Sequence, residues 1–397
     1  MTAEGIEVIE VKSKRDLDDF IKLPYLLYSK DPFYVPPLIK EMQGQFSDKN
    51  PFFLHATARY FLSRKDGKFA GRIISIINHS HIELHNEKAG FFGFFESVNN
   101  QEVASALLDK VSEILKKEGM NIIRGPMNFS TNEECGFLIE GFNKAPMLMT
   151  PYNPPYYNEL MQRYGMAKSK DLHAYIYDSQ EELPQKILRV AEIAEKRGIR
   201  VRPIDKKKFD SEMRIFRDVY NSAWEKNWGF IPITEEETIH LAHMLKSIVV
   251  PELTIIAEKD NEPVGFLGML PDFNFVLKQM KGKLNPITIA KAIYYSKKIR
   301  DLRLLLLGIK AEYRNKGIDA LLFREGFKGV KKGGYQRVEF SWILEDNTPT
   351  QRLVEMIGGR LYKKYRIYEK KTVTDFRDCF VATLLAMTSQ LLCLNYL

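Results

Sequence analysis

Apolar residues along this chain follow two rhythms. Short unbroken runs bounded by Gly, Asp and Asn predict strands buried on both faces, and stripes at helical spacing predict amphipathic helices. The clearest unit lies between Leu302 and Gln351. Leu302 to Ile309 is a continuous apolar run apart from Arg303 and Gly308. A turn, Arg314-Asn315-Lys316-Gly317, follows it, and then a predicted helix with Ala320, Phe323, Phe327 and Val330 on one stripe. Lys331 and Lys332 in the last turn and Gly333-Gly334 beyond it set the expected stop. A second strand is predicted from Arg337 to Leu344.

The same order of elements occurs twice. Lys65 to Gly71 joins two strand-like runs, Arg59 to Ser63 and Arg72 to Ile77; Lys259 to Gly265 joins Leu253 to Glu258 and Phe266 to Leu270, 194 residues on. Asn153-Pro154-Pro155 before Gly165 matches Asn347-Thr348-Pro349 before Gly359 at the same offset, and Ile6 through Tyr28 parallels Ile199 through Tyr220. Self-similarity at this period predicts two domains of one fold rather than a solenoid. Their expected bounds are residues 1–178 and 179–372, with an apolar tail at 373–397. In the first copy the strand Gly90 to Glu96 and the helix Glu102 to Lys117 are separated by Asn99 and Asn100, so the Arg-x-x-Gly turn is missing. That copy reads as a degenerate partner that shapes the acceptor site, and a linker helix, Glu181 to Lys196, leads to the second. An insertion, Phe275 to Lys298, is both basic and apolar; a solvated helix is the default, a lid or membrane-facing surface the alternative.

Charge and cysteines narrow the setting. The chain has 397 residues, a formal net charge of +8 and its bases dispersed rather than blocked. That suits an anionic small molecule or an anionic membrane surface better than nucleic acid, for which no motif is present. Three cysteines, Cys135, Cys379 and Cys393, have no metal spacing and suit a reducing, cytoplasmic setting. The N-terminal stretch lacks the apolar core of a signal peptide. Cys379 to Leu397 carries no charge over 19 residues and is expected to pack as a tail helix. His79, His81 and His85, and His240 with His243, complete no ligand set, so no metal is expected.

The turn at Arg314 to Gly317 is the strongest chemical signal. Gly317 lets backbone approach a ligand, helix N-terminal amides point outward, and Arg314 and Lys316 add full charges: an anion site sized for phosphate. Against this, any strand–turn–helix tolerates a glycine and surface bases.

Arg-x-x-Gly-x-(Gly/Ala) after an apolar strand resembles the acyl-coenzyme A signature of the GNAT superfamily of N-acyltransferases. Here it stands as Arg314-x-x-Gly317-x-Asp319, with an acid at the last position. The resemblance implies acyl-CoA as co-substrate, held by Ile309, Lys310, Arg314, Asn315, Lys316, Gly317, Ile318, Asp319 and, from the later motif, Asn347. A tyrosine often present as general acid is replaced by Val354. Asp31-Pro-Phe-Tyr-Val-Pro-Pro37, Gly90 to Glu96, Arg124-Gly-Pro-x-Asn128, Asn153-Pro-Pro-Tyr-Tyr157, Asn227-Trp-Gly-Phe230, Pro271-Asp-x-Asn274 and Trp342-x-Leu-Glu-Asp-Asn347 together resemble the bacterial ceramide synthase-like proteins. That likeness implies an α/β (α+β) fold of two tandem GNAT-like domains, each a mixed, mostly antiparallel twisted sheet flanked by helices. It also implies transfer of an acyl group from acyl-CoA to a primary amine, with a sphingoid-type lipid amine as the acceptor for some members.

N-acylation needs a base for an ammonium, a carbonyl-polarising amide and a proton donor for the leaving thiolate. Strand alternation would place Glu339, Ser341 and Glu345 on one face. Glu345 or Glu339 is the expected base and Tyr365 the acid, with the amides of Ile309 and Lys310 on the carbonyl. Asn128, Asn227, Trp228, Asp272, Asn274 and Trp342 are the expected acceptor contacts, each weighed against a plain structural role. Trp228 is expected to wall a pocket and Trp224 to plug two helices together. The expected location is cytoplasmic with peripheral contact at the inner membrane face; the sequence leaves oligomeric state open. The alternatives are a Fem-type transferase drawing on aminoacyl-tRNA and a non-catalytic acyl-CoA binder.

Overall fold

The computed structural model describes residues 5–372. The expected tail helix at Cys379 to Leu397 lies outside the described residues. The first half runs β1 (Ile6–Glu10), α1 (Lys14–Leu27), α2 (Ile39–Gln45), β2 (Ala56–Lys65), β3 (Lys68–Asn78), α3 (His79–His85), β4 (Ala89–Ser97), α4 (Gln101–Lys117), β5 (Ile122–Gly125), β6 (Phe137–Glu140), α5 (Tyr156–Arg163) and β7 (Ala167–Asp178). The second runs α6 (Gln185–Lys196), β8 (Ile199–Pro203), α7 (Phe209–Trp224), α8 (Glu235–Leu245), β9 (Thr254–Lys259), β10 (Glu262–Pro271), α9 (Asn274–Met280), α10 (Pro286–Ser296), β11 (Asp301–Ile309), α11 (Ile318–Lys332), β12 (Arg337–Leu344), α12 (Thr348–Met356) and β13 (Arg360–Lys371).

All thirteen strands join one sheet, ordered β1-β2-β3-β4-β5-β13-β7-β12-β11-β10-β9-β8, with β6 also on β13. The order reads almost the same from either edge, as the internal repeat requires. The closing strands are exchanged. β13 pairs with β5 of the first half, β7 pairs with β12 of the second, and β7 and β13 pair with each other along most of their length.

Both hairpins that anchor the repeat form as their sequences direct. Asp66 and Gly67, and Asp260 and Asn261, take positive φ in the two turns, as tight hairpin turns require. α11 buries Ala320, Phe323, Phe327 and Val330 against α6 and β10–β12. At roughly 1.5–3 kcal/mol for each large side chain, that burial rather than intrinsic propensity fixes the helix. Its mate α4 buries Val103, Leu107, Val111 and Ile114 in the same way. A third cluster fills the middle of the molecule, where α1, α2 and β2–β4 meet β13 and Trp342.

Candidate active site

In each half, the fourth and fifth strands of the repeat run parallel for a few residues and then part. In the second half the pairing covers Asp301 to Leu304 against Arg337 to Phe340. Beyond it the ladder ends, and no residue from Leu305 to Ile309 has a register partner on β12. Two irregularities hold the strands apart. Leu305 is an extra residue on β11, where the register against β10 shifts between Leu304 and Leu306. Ser341 and Trp342, joined by a cis peptide, together oppose the single residue Ala174, one extra residue on β12, where Phe340 faces Tyr175 and Ile343 faces His173.

Antiparallel alternation decides which amides face the gap. The Lys310 N–H donates to the Val264 carbonyl at 3.0 Å, so every second residue back along β11 bonds β10, and the N–H groups of Ile309 and Leu307 point the other way. Of the two amides expected to polarise a carbonyl, Ile309 therefore keeps a free direction and Lys310 does not.

Just below the fork sits a buried polar cluster. Arg303 and Glu339 are register partners across β11 and β12, both without appreciable exposure. The Ser341 hydroxyl donates to Glu339 Oε1 at 2.6 Å and accepts from Arg303 Nε at 2.8 Å. The Tyr362 hydroxyl donates to Glu339 Oε2; burial, then the Glu339 charge, pushes that hydroxyl far above the usual tyrosine range. The Arg303 guanidinium also stacks 4.8 Å from the Trp342 ring and donates to the Leu148 and Met149 carbonyls, both at 2.7 Å.

Those carbonyls belong to the long loop of the first half, which the second half pins from four residues. Asp272 Oδ1 accepts the Leu148 N–H at 2.8 Å, Asn274 Nδ2 donates to the Pro146 carbonyl at 3.1 Å, and Lys363 Nζ donates to the Ala145 carbonyl at 2.6 Å. Arg303 is the fourth. Burial, reinforced by the nearby Glu339 charge, raises the Asp272 carboxyl to about 7; burial lowers the Lys363 ammonium. Asp272 and Asn274 thus clamp a loop over the cluster.

Several expected contacts lie elsewhere. The one extra residue in the bulge inverts alternation along β12: Val338, Phe340 and Ile343 share the α11 face, so Glu345 leaves the face of Glu339 and Ser341. It bonds Lys168 and accepts the Asp171 N–H at 3.1 Å, a surface ion pair away from the fork. Tyr365 is fully buried beside Trp342, its hydroxyl near Thr150 but without a hydrogen bond of normal geometry. Burial pushes that hydroxyl above the usual tyrosine range. The two tryptophans both pack against the body of the protein. Trp224 stacks on Tyr220 at 4.8 Å and covers Gly308 of β11, whereas Trp228 fills the junction between halves, between Arg124 and Lys170. Asn227 lies in the turn after α7, its carbonyl accepting the Phe230 N–H at 3.2 Å.

The turn before α11 has the shape a phosphate site needs, with reservations set by its neighbours. Asn315 and Gly317 take positive φ, and residues 314–316 are exposed ahead of Ile318. A Cβ on Gly317, however, would press on Val190 of α6, so the glycine is required by packing. The Arg314 guanidinium donates to the Ala223 carbonyl at 2.6 Å and Lys310 pairs with Glu262 at 3.0 Å. Asp319 sits in the first turn, where it complements the helix's own dipole. Asn347 caps α12, accepting the Thr350 N–H at 3.3 Å, and Val354 is buried in the core. Lys316 and the outward amides of 315–318 remain for an anion.

The fork of the first half differs. β4 and β5 pair from Ala89 to Phe91 against Ile122 to Arg124, and a cis Gly125–Pro126 peptide follows. There the parting strands are stitched together. The Met127 N–H donates to the Phe92 carbonyl at 2.7 Å and the Phe94 N–H donates to Asn128 Oδ1 at 2.8 Å. A Cβ on Gly93 would overlap the Met127 carbonyl. Asn128, expected to contact an acceptor, is the stitch.

Sequence reasoning passed over Arg303 and Tyr362. The signal for Arg303 was a lone base inside an apolar strand; Tyr362 carried none, because its role depends on the exchanged strand β13.

No family model matches the chain. Among curated proteins, Protein YghO of Escherichia coli is 34% identical over 365 residues, covering 90% of this chain and 94% of that protein. A bacterial ceramide synthase of Caulobacter vibrioides is 33% identical over 377 residues, covering 93% and 98%. Among solved structures, a tandem GNAT protein from the clavulanic acid biosynthesis pathway superposes with a TM-score of 0.55 at 12% identity, covering 93% of this chain and 99% of that one. A GCN5-related N-acetyltransferase from Sphaerobacter thermophilus gives 0.53 at 12% identity, covering 94% and 98%. The fold is that of tandem GNAT acyltransferases, and the chain belongs to the family of YghO and the bacterial ceramide synthase.

Proposed function

We propose that this protein is an acyl-CoA-dependent N-acyltransferase working at the fork between β11 and β12, in a second domain bounded near residues 179–372. The observation that carries the reading is the open fork: free amides of Leu307 and Ile309 on one side, and the Arg303–Glu339–Ser341–Tyr362 cluster at its base. When bound, acyl-CoA supplies a thioester; its phosphates would lie at Lys316 and the α11 amides. The chain's own part is to polarise the carbonyl through β11 amides and to accept the proton of the acceptor amine. Glu339 is sealed, so that proton reaches it through the half-buried Tyr362 hydroxyl. A C–N bond forms, the C–S bond breaks, and the proton passes back to the leaving thiolate.

The acceptor class follows from the ceramide synthase relative: a long-chain amine of sphingoid type. The test is calorimetric titration with acetyl-CoA and palmitoyl-CoA, with free thiol followed after sphinganine is added. Tighter palmitoyl-CoA binding with amine-dependent thiol release is the expected result. Binding without release makes the protein a non-catalytic binder; no binding of either removes acyl-CoA from the reading and brings aminoacyl-tRNA forward. A Gly317→Glu variant is unsuited to this test, since it would disrupt the contact with α6.

A further inference from the structure

Between β10 and β11 the chain departs from the repeat and builds α9 and α10. Residues 273–300 contain seven Lys and Arg and no Asp or Glu. α9 is seated on the first half: Val276 and Met280 pack with Leu38 and Ile299, the Gly282 carbonyl accepts the Ile39 N–H at 3.1 Å, and the Lys278 ammonium donates to the Pro32 carbonyl. α10 stands outside α9 and buries only Thr288 fully, with Ala292 and Tyr295 partly covered.

The outward face of α10 is apolar. Ile287 is 71% exposed, Ile293 60% and Tyr294 57%, with Ile289 beside them and Leu284 just before the helix. A surface helix in water turns its polar residues outward; this one inverts the rule. Five exposed lysines flank it in the chain, Lys281 and Lys283 before the helix, Lys291 within it and Lys297 and Lys298 at its end, and the Lys298 ammonium donates to the Tyr294 hydroxyl at 2.6 Å. A wide apolar face, a basic rim and a tyrosine with a polar tip are what a helix lying in a bilayer surface needs. Eleven residues make a helix of about 16 Å, too short to cross, and no described helix is long and apolar enough to do so.

We propose that α10 docks the protein on an anionic lipid bilayer. Ile287, Ile293 and Tyr294 enter the boundary between headgroups and acyl chains, and the lysines meet lipid phosphates. The occupant follows from charge: a segment with seven bases and no acid matches a negative surface and would repel a second copy of itself. The proposal is independent of the acyl-transfer reading, because it concerns the surface and not the fork.

Co-sedimentation of the full chain with vesicles tests it. Binding to phosphatidylglycerol vesicles should exceed binding to phosphatidylcholine vesicles and fall about tenfold or more between low and high salt. Ile287→Glu with Ile293→Glu should weaken binding by about tenfold or more while leaving the thermal melt unchanged, since both side chains are exposed. Lys291→Glu with Lys297→Glu should reduce binding to the anionic vesicles alone. Failure of the parent to bind, or unchanged binding by the isoleucine variant, overturns the proposal. A parent dimer that the isoleucine variant dissociates, with no lipid binding, assigns the face to a second copy instead.

Discussion

The two forks of this sheet start alike and end differently. Each begins with three or four parallel pairs, each is followed by a cis peptide, and each has a buried Arg–Glu pair with tyrosine hydroxyls nearby. In the first half Glu96 accepts from Tyr157 at 2.8 Å and from Tyr28, and pairs with Arg72 at 3.5 Å. That cluster lies beyond a stitched fork, held by Asn128 and by Phe94 in a left-handed conformation that a bulky side chain rarely adopts. The second cluster lies beneath an open one. The difference shows how a repeat divides labour: the same strands, closed by one asparagine, become a wall.

Replacing the arginines should separate the clusters most sharply. Arg303→Met leaves Glu339 as an uncompensated buried charge and frees the Leu148 and Met149 carbonyls, so stability in chemical denaturation should fall by about 3–5 kcal/mol. Arg72→Met should cost less, about 2 kcal/mol, because Arg72 holds a single backbone carbonyl, that of Phe20, where Arg303 holds two. An equal loss would erase the distinction.

Next comes chemistry. Glu339→Gln should lower amine-dependent thiol release by about 100-fold or more per folded molecule, and should also lower the melt because Arg303 is left as a buried charge without its carboxylate, whereas Glu96→Gln should leave turnover within about threefold. The reverse ranking would move the reaction to the first half.

Cutting the stitch has a smaller effect. Asn128→Ala orphans the Phe94 N–H and should cost about 1.5 kcal/mol, with turnover unaltered; a gain in acyl-CoA stoichiometry would show that the stitch alone closed the first fork.

The smallest effect is in the pH dependence. The folded Asp272 carboxyl is raised to about 7, so the fold favours its protonated form. Stability from this group is full below the unfolded value near ~4 and is lost as pH rises through about 7. Asp272→Asn, which can still accept the Leu148 N–H, should flatten the fall in melting temperature between pH 5 and 8, an effect of about 1 kcal/mol.

Much of the fold was legible because its signals are local. The apolar run to Ile309, the stripe of α11 and the hairpins at Asp66 and Asp260 each carry their own stop signals. The 194-residue offset exposed the repeat without any three-dimensional information. The site was less legible because it is assembled from distant pieces. Glu339 could be found on its strand, but the bulge at Ser341–Trp342 turned Glu345 to the other face, and nothing in strict alternation announces a bulge. The loop clamped over the cluster belongs to the first half and is pinned by second-half residues. Tyr362 reaches Glu339 only because β13 crosses into the centre of the sheet.

That crossing also bears on how the protein is made. When the first half leaves the ribosome, β5 has no neighbour on one side, since its partner is β13, the last described strand. The edge at Ile122 to Gly125 stays an open template for pairing until nearly the whole chain has been synthesised. Folding during translation therefore cannot finish half by half, and a ribosome stalled late in the message would release a sheet with its middle missing.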